Sequence, residues 1–261
     1  MNISNYIDTI NKSGQKILSV FLTAGYPNKQ NFAEIAINVL NAGADMLEIG
    51  IPFSDPLADG PVIQNSSNIA LQNGTTIKDC ILFAKQISDK VNKPIIFMSY
   101  INPILNYGIE RFVKDAENAG VKGLIIPDLV IEEYNEILQD VKTDLEIILL
   151  CTPTTPDERI KQIDEVSNGF VYCVSLNGTT GVRNEFDEDI LKPIKNAYQL
   201  IIKNKMLVGF GISKPEDVKY FSPCCDGVIV GSAVVKLLAD GKDGEGKVIE
   251  LVRKLKGACK N

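Results

Sequence analysis

The chain of 261 residues has no histidine and no tryptophan. The missing imidazole excludes His-ligated zinc sites, Ser-His-Asp triads and histidine proton relays, so acid–base chemistry falls to carboxylates, lysine, tyrosine, cysteine or groups of a substrate. Cationic side chains are in the minority. The 27 Lys and Arg against 33 Asp and Glu leave a net charge of −6, which argues against a general binder of nucleic acid or of an anionic membrane. No apolar run approaches the ~18 residues of a membrane span, and the first residues, MNISNYIDTINKSGQK, carry no apolar signal segment. A soluble intracellular protein is expected. The six cysteines, Cys80, Cys151, Cys173, Cys224, Cys225 and Cys259, are too few and too irregularly placed for a disulfide framework. Cys151 and Cys173 lie in strand-like runs and read as small buried hydrophobes. Cys224 and Cys225, being adjacent, lack the spacing of a redox pair or a zinc knuckle. No metal and no cofactor is expected in this chain. The first strand is followed by neither G-x-G-x-x-G nor G-x-x-x-x-G-K-[ST], which disfavours a doubly wound nucleotide fold with a small appended domain.

What the chain does contain is an alternation of short apolar runs and amphipathic stretches. Strand-like cores fall near 17–22, 45–49, 94–99, 122–126, 146–150, 169–174, 206–209 and 226–230. Helical periodicity covers 3–12, runs through Phe32, Ile35, Ala36, Val39 and Leu40, and returns near 75–90, 109–118, 131–139, 156–165, 187–201 and 214–221. IIFMSY, GLIIPD and EIILLC are apolar on both faces, as parallel strands covered by helices are. Eight such strands predict an α/β fold, a single (β/α)8 TIM barrel spanning 1–261 as one domain, with an additional N-terminal helix.

In such a barrel functional side chains gather at the C-terminal strand ends and the loops that follow them. Glu48, in LEIGIPFSDPLADGP, ends the second strand between Leu47 and Ile49, where burial would raise its pKa and suit it to proton transfer near neutrality. Asp59 lies in the following Pro/Gly-rich loop, with Asp55 as a competitor; either carboxylate alternatively caps a turn. GFGISKPED after the seventh strand and GVIVGSAVVK after the eighth place Gly211, Gly231 and Ser232 where backbone N–H groups and a helix start suit a phosphate. NGTTGVRNEF after the sixth strand, with Thr180, Gly181 and Arg183, reads as a lid or as an exposed turn. Phe21, Ile63, Met98, Tyr100, Ile125, Leu150, Tyr172 and Phe210 outline an apolar pocket or simply fill the core. Lys93, Lys122 and Lys205 precede strand cores and so lie at the opposite end, which disfavours a lysine-imine mechanism. These residues leave open another phosphate-binding lyase or isomerase, or a catalytically silent regulatory barrel.

LEIGIPFSDPLADGPVIQ, FLTAGYP, IIPDL, NGTTG, GFGIS and GSAVVK, in this order around the eight expected strands, make the chain resemble the tryptophan synthase alpha chain family over essentially its whole length. The resemblance implies retro-aldol cleavage of indole-3-glycerol phosphate to indole and D-glyceraldehyde 3-phosphate. It also implies a beta chain partner that contains pyridoxal phosphate, in an alpha2-beta2 heterotetramer, in the cytoplasm or a plastid stroma. By the same resemblance Glu48 and Asp59 are the catalytic carboxylates. Phe21, Tyr100, Tyr172, Phe210 and nearby apolar residues form the indole pocket, Gly181, Gly211, Gly231 and Ser232 surround the phosphate, and Thr180 is the lid threonine. Two segments depart from the family pattern: Leu176 stands where an arginine is frequent, and Val130 where a proline is frequent.

Overall fold

The computed structural model describes residues 2–174, 188–209 and 211–260. Nine parallel strand segments form one sheet: β1 (Ile17–Thr23), β2 (Met46–Gly50), β3 (Ile95–Met98), β4 (Gly123–Ile125), β5 (Glu146–Ile148), β6 (Leu150–Cys151), β7 (Phe170–Val174), β8 (Lys205–Gly209) and β9 (Gly227–Val230). Their order is β5-β4-β3-β2-β1-β9-β8-β7-β6. β5 pairs with β4 and β6 with β7, and only Leu149 separates the two segments, whose carbonyl accepts the Tyr172 N–H at 3.0 Å. They are two halves of one stave. The sheet therefore closes as the eight-stranded (β/α)8 barrel that the alternation predicts, with the expected fifth strand interrupted once.

Among the described residues the α-helices are α1 (Ile3–Lys12), α2 (Phe32–Ala42), α3 (Pro61–Gln72), α4 (Ile77–Ser88), α5 (Ile101–Tyr107), α6 (Ile109–Asn118), α7 (Ile131–Ile137), α8 (Asp157–Val166), α9 (Glu188–Leu200), α10 (Pro215–Phe221), α11 (Ser232–Leu238) and α12 (Gly244–Ala258). The local signals are those expected of helix ends. Thr76 and Asp79 form a reciprocal capping box at α4, with the Thr76 N–H donating to Asp79 Oδ2 at 2.9 Å. Three helices, α3, α5 and α12, are absent from the expected set. α3 is polar along NSSN and α5 is short and carries Pro103, so neither shows a strong apolar period, whereas α12 does carry one through Val248, Leu251, Val252 and Leu255. Among the described residues no helix is long and apolar enough to cross a membrane.

Alternation along each strand divides the apolar residues into two clusters. Leu18, Val20, Leu47, Ile49, Phe97 and Leu124 face outward and pack beneath the helices. Ile17, Met46, Ile96, Ile125, Ile148, Phe170, Tyr172, Leu207 and Ile229 point into the lumen, where Ile3 and Ile7 of α1 join them. The extra helix is thus a plug under the barrel. Gly123 makes room for it, since a Cβ there would stand 2.7 Å from Ile3 Cδ1. The Ile3 N–H donates to Glu146 Oε2 at 2.5 Å, and Lys205 Nζ meets Asp8 Oδ1 at 2.7 Å, so polar contacts at the lower rim hold the plug in place. Lys93 donates to the carbonyls of Leu40 and Ala44 at the same end. Ile7→Ala removes fully buried packing from the plug and is expected to lower the unfolding free energy by about 2–4 kcal/mol, read from urea melts.

Candidate active site

At the opposite end, the staves carry polar groups into an otherwise apolar lumen. Glu48 of β2 is completely buried. Its Oε1 accepts the Ser19 hydroxyl at 2.7 Å, and its Oε2 has no hydrogen-bond partner among the described residues. Loss of hydration raises the Glu48 pKa to about 7, opposed by the Ser19 hydrogen bond. Both protonation states are therefore accessible near neutral pH, as a group that must give and then recover a proton requires.

Asp59 lies in the connection between β2 and α3. Its backbone N–H closes a turn onto the Pro56 carbonyl at 3.0 Å, and its carbonyl accepts Gln64 Nε2 at 2.8 Å. Tyr100, after β3, accepts the Ala58 N–H at 2.9 Å and donates its hydroxyl to the Asp59 carboxylate. Burial raises the Asp59 pKa to about 6, and the tyrosine bond opposes that rise. The competing Asp55 is exposed and is bonded by the Ser54 hydroxyl. Tyr172 is influenced by both acids: burial first, then the charges of Glu48 and Asp59, push its phenol pKa well up.

A cavity of about 450 Å³ is lined by Asp59 and Tyr172, whereas Glu48 is not among its lining residues. Phe21, Asp59, Ile63, Met98 and Tyr172 line it together with Gly211, Gly231 and Ser232, so these expected apolar and glycine groups share one space. Tyr100, Ile125 and Leu150 do not line it. Tyr100 acts behind Asp59, Ile125 is fully buried in the lumen cluster, and Leu150 packs against that cluster. Thr180, Gly181, Arg183, Leu176 and Phe210 lie outside the described residues. The sequence pattern did not single out Ile229 and Ile212, together with Pro61 and Val62 at the start of α3, which also line the cavity. Ile229 was accessible from that pattern, because it precedes Gly231 by two residues and strand alternation puts both on one face. Gly209 carries a further steric role: a Cβ there would stand 2.2 Å from the Tyr172 hydroxyl, so only glycine seats that ring.

The six cysteines are buried and unpaired, and among the described residues no group of three or more His, Cys, Asp or Glu is placed to hold a metal ion. The arrangement can move a proton through Glu48 and hold a polar N–H or a developing positive charge at Asp59. The raised Glu48 pKa also has a thermodynamic sign. The folded protein binds the Glu48 proton up to about pH 7, whereas the unfolded chain releases it near the ordinary 4.5. Stability contributed by the neutral carboxyl is present below 4.5 and is lost as pH rises towards 7. Glu48→Gln is accordingly expected to be more stable than the parent by about 3 kcal/mol at pH 8 and little changed at pH 4, as measured by denaturant unfolding at both pH values.

The profile of the family described as tryptophan synthase alpha chain matches residues 7–261. The chain is similar to the tryptophan synthase alpha chain of Prochlorococcus marinus, with 44% identity over 254 residues covering 94% of this chain and 90% of the relative. It shares 46% identity over 241 residues with that of Caldanaerobacter subterraneus, covering 92% and 91% of the two chains. Among solved structures, the tryptophan synthase subunit alpha of Legionella pneumophila superposes with a TM-score of 0.87 at 33% identity, covering 99% and 98% of the two chains. An Aquifex aeolicus protein superposes with a TM-score of 0.90 at 35% identity over 100% of both chains. Sequence and architecture agree along the whole length, and the chain belongs to the tryptophan synthase alpha chain family.

Proposed function

We infer that the chain carries the activity of its family, cleaving indole-3-glycerol phosphate to indole and D-glyceraldehyde 3-phosphate. The observation that carries the residue assignment is Glu48: a fully buried carboxyl with one oxygen bonded and the other without a partner among the described residues, on the strand position paired with Phe21, which lines the cavity together with Asp59. Cleavage of the bond at indole C3 would leave a poor carbanion unless C3 is protonated first. Protonated Glu48 gives its proton to C3, and the positive charge that develops at N1–H is held by the Asp59 carboxylate. Glu48, now ionised, takes the proton from the side-chain hydroxyl next to C3. That oxygen becomes the aldehyde carbonyl, the carbon–carbon bond breaks, and its electron pair restores the indole ring. Glu48 ends protonated, so no external acid or oxidant is consumed.

Phe21, Ile63, Met98 and Tyr172 supply the apolar walls for the indole ring, with Ile125 and Leu150 supporting them from the lumen. Gly211, Gly231 and Ser232, which line the same cavity, are the described part of the phosphate site, and Thr180, Gly181 and Phe210 complete the proposed set. The partner is the tryptophan synthase beta chain in an alpha2-beta2 assembly. That chain holds pyridoxal phosphate and uses the indole, and this chain supplies no cofactor of its own. Leu57, 93% exposed, and Val130, 49% exposed, follow β2 and β4 and offer apolar surface at the mouth for such a partner to cover. Residues 1–261 are read as one barrel domain. Six unpaired cysteines suit a reducing compartment, the cytoplasm or a plastid stroma.

Indole release from folded Glu48→Gln is expected to fall by about 10²–10⁴-fold, the usual worth of a general acid–base group. Asp59→Asn should fall by about 10²-fold through weaker stabilisation of the N1 charge. Near-parental turnover in both variants would overturn the assignment of these residues.

A further inference from the structure

We propose that Ser19 is a positioning residue for Glu48: its hydroxyl keeps Oε1 as an acceptor, so that the exchangeable proton of the carboxyl is carried on Oε2. The inference rests on the reading that Glu48 moves the proton in the lyase step. Ser19 and Glu48 lie on adjacent parallel strands, in a register that sets Ser19 beside Met46 and Phe21 beside Glu48, so the hydroxyl reaches the carboxyl diagonally across the lumen wall. Both side chains have no exposure, and their oxygens stand 2.7 Å apart. Glu48 is the acceptor that the Ser19 hydroxyl has among the described residues. A buried hydroxyl deprived of an acceptor is costly, which holds its proton on the Ser19–Glu48 line. A carboxyl proton on Oε1 would then point at the serine proton. The low-energy arrangement puts it on Oε2, the oxygen without a protein partner.

The surroundings make this one hydroxyl consequential. Towards Glu48, β3 contributes Ile96 and Met98, β8 contributes Leu207 and β9 contributes Ile229. Among the described residues, the titratable groups on the lumen side are the Tyr172 phenol of β7 and the Asp59 carboxylate, at the plug the Tyr6 phenol, which responds to Asp45, and at the lower rim Glu146 and the Asp8–Lys205 pair. Lys205, the cation of that set, is bonded to Asp8 and is not among the influences on Glu48. The Ser19 hydrogen bond is the influence that favours the ionised carboxyl, against burial that opposes it. It therefore helps Glu48 to part with its proton and keeps the resulting carboxylate oriented to take the second one.

Ser19→Thr and Ser19→Val test this as a pair, since they share one shape and differ in the hydroxyl. Kinetics are run on the full chain saturated with its beta partner, and the Glu48 carboxyl, assigned by its loss in Glu48→Gln, is titrated by 13C NMR in the full chain. Ser19→Val is expected to move that titration, and the alkaline limb of the kcat profile, upward by about one pH unit. It should also lower kcat by roughly tenfold with KM changed less than about threefold. Ser19→Thr should keep both values near the parent. A shared titration and a shared pH limb in the two variants would overturn the proposal. Full activity in Glu48→Gln would instead overturn the catalytic reading of Glu48, while the NMR comparison still decides whether Ser19 controls its proton.

Discussion

A carboxyl group held in an apolar barrel lumen with no cation partner among the described residues is the constraint around which this molecule is arranged. Burial is what brings Glu48 to about 7. The contrast with Glu132 is instructive: it is exposed and bonded by Arg159, which holds its pKa down to about 2. One side-chain chemistry thus serves two purposes according to its surroundings. For Glu48 the surroundings are made by neighbouring staves, by the serine on β1 and by the tyrosine on β7, none of which is near it in sequence.

Maintaining such a site requires the rest of the lumen to be closed, and the lower end of the barrel does this. α1 inserts Ile3 and Ile7 among the inward-facing strand residues. Around it the ionic and polar contacts gather: Asp8 with Lys205, Glu146 with the Ile3 N–H, and Asp45 with both the Leu18 N–H and Lys256 of α12. Lys93 is occupied there with two backbone carbonyls. Charges at the bottom are therefore paired and structural, whereas the buried acids towards the top have hydroxyl partners and stay titratable. The barrel separates stability from chemistry along its axis.

The strand ends were legible because apolar alternation and glycine or proline breaks are local properties. The interruption at Leu149 was not, since it depends on the change of partner from β4 to β7 rather than on the run EIILLC itself. α3 and α5 escaped because their cores are polar or short, and tertiary packing supplies what their periodicity lacks, whereas α12 carries a regular apolar period through Val248, Leu251, Val252 and Leu255 that was legible in the sequence. Glu48 stood out by its place in an apolar strand. Ile229 followed the same alternation and was still overlooked.

The sequence by itself determined the number of staves, the absence of imidazole chemistry, the lower-end placement of the lysines and the candidacy of Glu48, because each follows from composition or from short-range periodicity. Only the tertiary structure distinguishes the surroundings of Asp59 and Asp55, since Asp59 lines the cavity beside a tyrosine from β3's end that no local pattern connects to the loop, while Asp55 is exposed. It likewise decided which apolar residues line the cavity and which lie beneath it, and it revealed that Ser19, an unremarked strand residue, holds one oxygen of Glu48. Contacts across the lumen arise from barrel closure, and closure is a property of all eight staves together.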